Sequence, residues 1–254
     1  MQEPPPRALG EQGPASDSLE ARPASVPLAF GKLGPETLTP ILLDALHARL
    51  IPLAPLIVPV RDAALRLVVA ERLLAPTIAY AVHAVAVIGD RALELTDGTL
   101  LPTSERLAGA ERLAAAVCGI GRGIDRRAAA ALAAGDGRLA LALDLIGTHA
   151  VFRLSDHVRR LVRKSARENG FAIGGPLEPG MANFPLRDQA VLVRLADAKP
   201  MGFCVTSSGA VGPGRVLTFA IPIGRDLSPW RPADRCLHCP SREACQRMGM
   251  AADD

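Results

Sequence analysis

The stretch IAYAVHAVAVIGDRALELTDGTLLP, residues 78–102, sets two apolar, partly β-branched runs on either side of Gly89-Asp90. Apolar runs bounded by a turn pair predict a strand, a tight turn and a second strand returning beside the first. An antiparallel hairpin early in a chain argues against a repeating βαβ plan, so the neighbouring segments decide what the hairpin packs on.

On its amino-terminal side, ETLTPILLDALHARLIPLAP and RDAALRLVVAERLLA carry apolar residues at helical spacing, interrupted by prolines, and predict two short helices. On the other side, Ser104 is a capping candidate, ERLAAAVCGIG reads as a helix end running into a short buried strand, and GIGRGID, residues 119–125, reads as a glycine turn into the helix DRRAAAALAAG. That glycine turn lacks the third glycine and the acidic partner of a dinucleotide site. The longest periodic segment is residues 137–169, where Leu143, Ile146, Ala150, Leu154, Leu161 and Val162 trace one helical face and Gly170 supplies a stop. Its His149 and His157 are spaced for packing or solvent rather than for a metal pair.

Beyond residue 170 glycine and proline become frequent, with a short helix at LRDQAVLVRLAD and strand-like MGFCVTS and RVLTFAIPIG. Helices and antiparallel strands without a βαβ rhythm make the fold class α+β. Residues 1–26, rich in Pro, Ala, Ser and Glu, read as a disordered tail; residues 27–230 form the α+β domain; residues 231–254 form a cysteine-rich terminal segment.

Composition narrows the partners. The formal charge is +3 and aromatic residues make up 3%, so the basic stripe and stacking platforms of a nucleic-acid binder are missing. No apolar run reaches the roughly 20 residues needed to span a bilayer, and the first residues lack the pattern of a secretory signal. The expected location is the cytoplasm. In that reducing setting, three of the five cysteines falling within RCLHCPSREACQRM, residues 235–248, point to a metal rather than to disulfides. Cys236, Cys239 and Cys245 suit an iron–sulfur cluster or zinc, and the lack of a second paired unit favours the cluster. Cys204, on the strand-like GFCVTS, is the candidate fourth ligand. No catalytic triad or carboxylate pair is identifiable.

The order of several segments resembles the activation (reactivation) domain of vitamin B12-dependent methionine synthase, in its standalone form with a carboxy-terminal cysteine cluster. The resemblance is carried by TSERLAGAERLAAAVCGIGRGID, GDGRLALALDLIGTHAVFRLSD with Asp144, Ala150, Val151 and Asp156, PGMANFPLRDQ, MGFCVTSSGAVGPGRVLTFAIPIG and RCLHCPSREACQR, over about three quarters of the chain. It implies a curved domain with a twisted antiparallel sheet and flanking helices. It also implies a shallow groove for S-adenosylmethionine, presented to a cobalamin carried by a partner methyltransferase or methionine synthase subunit, with electrons from a donor such as flavodoxin or ferredoxin. The residues it places at the ligand are Glu178, Gly180, Met181, Thr206, Ser207 and Arg215.

The chain departs from the family at one loop. Where the family reads Arg-x-x-x-Gly-Tyr, this sequence has Pro176, keeps Gly180 and has Met181, so a permanently charged, bidentate group is lost. Weak S-adenosylmethionine binding is the expectation. Two alternatives follow: an iron–sulfur reactivator of another corrinoid methyltransferase that no longer binds S-adenosylmethionine, and a structural module holding zinc.

Overall fold

A computed structural model describes residues 31–48, 58–181, 184–227, 230 and 243. The expected tail and the three clustered cysteines, Cys236, Cys239 and Cys245, lie outside the described residues.

The hairpin forms as its sequence predicts. Strand β2 (Thr77–Ile88) turns through Gly89–Arg91, closed by Gly89 N–H donating to the Ala92 carbonyl at 2.9 Å, into β3 (Ala92–Leu95). β3 continues into β4 (Leu100–Pro102) through a second turn, in which Asp97 Oδ1 accepts from Thr99 N–H at 2.9 Å and Gly98 takes a φ of 80°. The register of β2 against β3 shifts between Val85 and Val87, an irregularity of the kind that increases local twist. The short β1 (Gly31–Leu33) pairs with the other end of β2.

The central strand corrects the sequence reading. Arg112–Gly119, expected to begin as a helix end, is strand throughout (β5), pairing antiparallel with β2 on one side and with β9 (Val216–Gly224) on the other. Its alanines favour helix in isolation. They are strand here because β5 lies mid-sheet with both faces covered, where small side chains let the flanking layers approach closely. Ser104 does cap, accepting from Arg106 N–H, but the element it starts is a single 3-10 turn, Glu105–Leu107.

The sheet runs β4-β3-β2-β5-β9-β6, with β6 (Ala172–Ile173) at the far edge, and every strand pairing in it is antiparallel. It is strongly curled and carries helices on its flanks, the α+β class expected. One face holds Ile78, Tyr80, Ala116, Phe219 and Ile221 against helices α1 (Pro35–Ala48), α2 (Val58–Ala70) and α4 (Gly137–Glu168); the short α3 (Gly123–Ala133) packs on α4. The opposite face holds Ala79, Leu113, Val117 and Ala220 against α5 (Gln189–Leu195). Pro40 sits inside α1 without ending it.

Helix α4 is the spine. Asp136 caps it by accepting from Leu139 N–H at 3.0 Å, and Leu143, Ile146, Ala150, Leu154, Val158 and Val162 bury one stripe. It ends with Phe171 N–H donating to Ala166 O and Gly170 N–H to Arg167 O, with Gly170 at φ 73°, a Schellman stop. The strand-like MGFCVTS is shorter than its sequence suggests: only Cys204–Val205 (β7) pair, with Val211–Gly212 (β8), in a small hairpin off the main sheet.

Candidate functional site

The loop that follows β6 is held to the sheet before it projects. Gly174 N–H donates to Pro222 O at 2.9 Å, and Leu177 and Ala220 exchange both backbone bonds at 2.8 and 2.9 Å. The next residues then fold on themselves: Met181 N–H donates to Glu178 O at 3.0 Å, Phe184 N–H to Met181 O at 3.0 Å, and Gly180 N–H to Phe184 O at 2.7 Å. Gly180 has a φ of 95°, which only glycine adopts without strain. The buried Phe184 ring anchors this turn. Of the residues expected at a ligand, Glu178, Gly180 and Met181 therefore share one turn, with Gly180 exposed and its two companions partly so.

Thr206 and Ser207 occupy a different place, the exposed tip of the β7–β8 hairpin. The Thr206 hydroxyl is used within that tip, accepting from Ala210 N–H at 3.1 Å and sharing a hydrogen bond with the Ser208 hydroxyl at 2.9 Å. Arg215, in the turn entering β9, points its guanidinium at the helices. Its Nε donates to Asp125 Oδ1 at 2.7 Å, Nη2 to Asp144 Oδ1 at 2.5 Å, and Nη1 to both Thr148 Oγ1 at 2.6 Å and Asp144 O at 2.9 Å. Burial alone would lower the Arg215 pKa; the hydrogen bonds to Asp144 and Asp125 outweigh it and hold the group above its ordinary value. Gly147 makes the space, since a Cβ there would meet Arg215 Nε at 3.0 Å. Asp144 was visible in the sequence. Asp125 and Thr148 were not, and the only signal for Asp125 is an acidic residue in the first turn of a helix.

Cys204, on β7, is exposed and free. Among the described residues no group of three His, Cys, Asp or Glu side chains is arranged to hold a metal ion. Cys118, by contrast, is fully buried in β5, and desolvation pushes its thiol far above the usual range, so it is no thiolate donor.

A second set of residues at the loop was not read from the sequence. Trp230 lies directly on Gly175, whose absent Cβ would sit 2.3 Å from the indole Cδ1. The ring also stacks with Arg159 of α4, whose guanidinium carbon is 4.1 Å from the ring centroid, with Asp156 at 3.6 Å from Nη1. Trp230 Nε1 is buried and has no hydrogen-bond partner among the described residues. One residue further along, Arg106 Nη1 reaches the Pro176 carbonyl at 3.5 Å. The sequence signal for this corner was slight: a single tryptophan in the whole chain, beside an unusual Gly174-Gly175-Pro176 run.

No helix among the described residues is long and apolar enough to cross a membrane. No family model matches the sequence, and no curated protein matches it. Solved structures do match. One is a crystal structure of the MetH reactivation domain bound to AdoHcy, superposing with a TM-score of 0.57 at 17% identity, over 90% of this chain and 88% of that one. At that identity the likeness is one of fold, and the curled antiparallel sheet with flanking helices is the fold of that reactivation domain.

Proposed function

We propose that the chain is a reactivation component for a cobalamin-dependent methionine synthase. It would hold an S-adenosyl ligand against the 175–181 loop and present it to a cobalamin carried by a partner subunit. The observation that carries this reading is the extent of the fold match, 90% of this chain on a domain whose structure contains AdoHcy. An S-adenosyl ligand fits the loop's chemistry, because the Glu178–Phe184 turn offers an exposed glycine backbone beside a carboxylate and a thioether.

In this proposal Glu178, Gly180 and Met181 make the principal contacts. Thr206 and Ser207 contribute from the tip of the β7–β8 hairpin, and Arg215 contributes by tying the turn that enters β9 to α3 and α4. When bound, S-adenosylmethionine would supply the methyl group and leave as AdoHcy, with the partner's cobalamin as acceptor; the chain's own part is positioning. Cys236, Cys239 and Cys245, with Cys204 as fourth donor, are proposed to hold an iron–sulfur cluster or zinc, and a low-potential donor of the flavodoxin or ferredoxin kind would supply electrons. The replacement of the expected arginine by Pro176 favours a second reading, reactivation of another corrinoid methyltransferase without S-adenosylmethionine.

The test is calorimetric titration of the purified chain with AdoHcy, together with anaerobic pull-down of a corrinoid protein. Binding of both supports the first reading. Corrinoid capture without AdoHcy binding selects the second, and failure of both overturns the proposal.

A further inference from the structure

Two features bring donors to the Gly175-Pro176 backbone, and they come from parts of the chain far apart in sequence. Arg106 arrives from the 3-10 turn after β4, at a sequence separation of 70, and the one hydrogen bond of its guanidinium among the described residues is to the Pro176 carbonyl at 3.5 Å, long for a hydrogen bond. It forms no ion pair among the described residues, in contrast to Arg225, which pairs with Glu111 at 2.6 Å. Trp230 arrives from beyond β9 and brings a buried indole N–H that no described acceptor meets. Buried donors are almost always satisfied, so an orphan indole N–H lying on Gly175, with an under-used guanidinium reaching the carbonyl of the next residue, signals a missing acceptor.

The chemistry of that acceptor is constrained. An indole N–H and a guanidinium are donors only, so the group must bring lone pairs and no protons. A guanidinium pairs best with a two-oxygen anion, which favours a negatively charged group. The backbone conformation agrees: Gly175 has no side chain to obstruct the indole, and Pro176 has no N–H to compete as a donor. Among the parts of an S-adenosyl ligand only the amino-acid end carries a carboxylate.

We infer that Arg106 and Trp230 Nε1 form the carboxylate-receiving corner of the ligand loop, in place of a charged residue at position 176. The inference rests on the S-adenosyl reading above. It assigns the cation to a different element, the 3-10 turn before β5, rather than to the loop itself. Arg106 is the specificity group and Trp230 the orienting one, packed on Gly175 and stacked with the Arg159 guanidinium.

The test uses the full chain, two ligands and calorimetry. AdoHcy carries the carboxylate; 5′-methylthioadenosine is the same thioether nucleoside without the amino-acid end. The wild-type chain binds AdoHcy at least tenfold more tightly than 5′-methylthioadenosine. Arg106→Gln lowers AdoHcy affinity by about tenfold or more, as loss of one charge-assisted hydrogen bond does, and leaves 5′-methylthioadenosine within twofold. Trp230→Phe, which keeps the ring and removes the N–H, gives a smaller loss confined to AdoHcy. Arg106→Lys restores part of the discrimination, and its circular dichroism, like that of the other variants, matches wild type. If both ligands bind equally, or if Arg106→Gln weakens both alike, the corner is not a carboxylate site although the S-adenosyl reading stands. If neither ligand binds the wild-type chain, both the reading and the inference fall.

Discussion

Arg215 donates from Nη2 to Asp144 Oδ1 at 2.5 Å while its Nε holds Asp125 Oδ1 at 2.7 Å, so one side chain from a sheet turn clasps two helices. Around it the backbone is equally close: Gly121 and Gly214 form a bridge, and a Cβ on Gly214 would lie 2.1 Å from the Gly121 carbonyl. The guanidinium is mostly enclosed and Asp144 is about half exposed, so solvent screens part of the interaction. Arg215→Met leaves two carboxylates facing each other and costs about 2 kcal/mol, lowering Tm by roughly 4–8 °C in a chain of this size. Thermal denaturation followed by circular dichroism measures it. An unchanged Tm with lost AdoHcy affinity would instead place Arg215 at the ligand.

The cysteines give a second measurement. Desolvation raises the Cys118 pKa at the centre of the sheet, whereas Cys204 is exposed on β7. The thiolate is the reacting species, so alkylation requires both ionisation and access. Brief treatment of the metal-free native chain with iodoacetamide at mildly alkaline pH modifies Cys204 and spares Cys118, and peptide mapping reads each separately. Modification of Cys118 at a similar rate would mean that β5 opens readily. Protection of Cys204 that disappears with a chelator would support its proposed role as a fourth metal ligand.

A third prediction concerns pH. His157 faces a small cavity between α1 and α4, lined by Leu38, Ile41, Leu42 and Ala45 from α1 and by Arg153, Leu154 and Arg160 from its own helix. Burial, and then the Arg160 charge, lower its pKa below the ordinary 6.5. The unfolded chain therefore takes up a proton that the folded chain resists. This contribution to stability is full above pH 6.5 and is lost as pH falls below it through the depressed folded value. Urea denaturation at a series of pH values between about 7 and 5 shows the decline, and His157→Leu flattens it. A slope identical in the variant would assign the decline to other groups.

These relationships separate what periodicity reveals from what only the folded chain reveals. The β2–β3 hairpin and α4 were legible because their apolar residues repeat at the period of the element and stop at turn residues, Gly89 and Gly170. β5 was partly misread because Ala114, Ala115 and Ala116 carry no strand signal; their state is set by neighbours on both sides. Gly180 is marked in the sequence by the resemblance alone, and its left-handed φ is seen only in the folded chain. The Arg106–Pro176 contact was not legible, since nothing local marks an arginine for a partner 70 residues away. Arg215 was singled out as a charge near hydroxyls, and its actual partners on α3 and α4 depend on tertiary packing alone.

The fourth prediction turns on the chain's single tryptophan. Trp230 lies so close to Gly175 that a Cβ there would meet the indole at 2.3, 2.4 and 2.8 Å, with Cδ1, Nε1 and Cγ respectively. Alanine at 175 therefore displaces the ring and breaks its stacking on Arg159, whose guanidinium carbon is 4.1 Å from the centroid. The stacked pair contributes about 0.5–2 kcal/mol, and the displaced ring loses burial besides, so Gly175→Ala destabilises the chain by about 1–3 kcal/mol. Because no other tryptophan contributes, emission excited at the indole band reports this site alone. It moves to longer wavelength in the variant as the ring meets water, and acrylamide quenching rises. Gly174→Ala, by contrast, places its Cβ 2.8 Å from Pro222 Cγ and only 3.8 Å from Leu227, so it perturbs the sheet edge without touching the indole. Its emission stays at the wild-type wavelength even if its Tm falls. Equal red shifts in the two variants would mean that Trp230 is held by the strand rather than by Gly175.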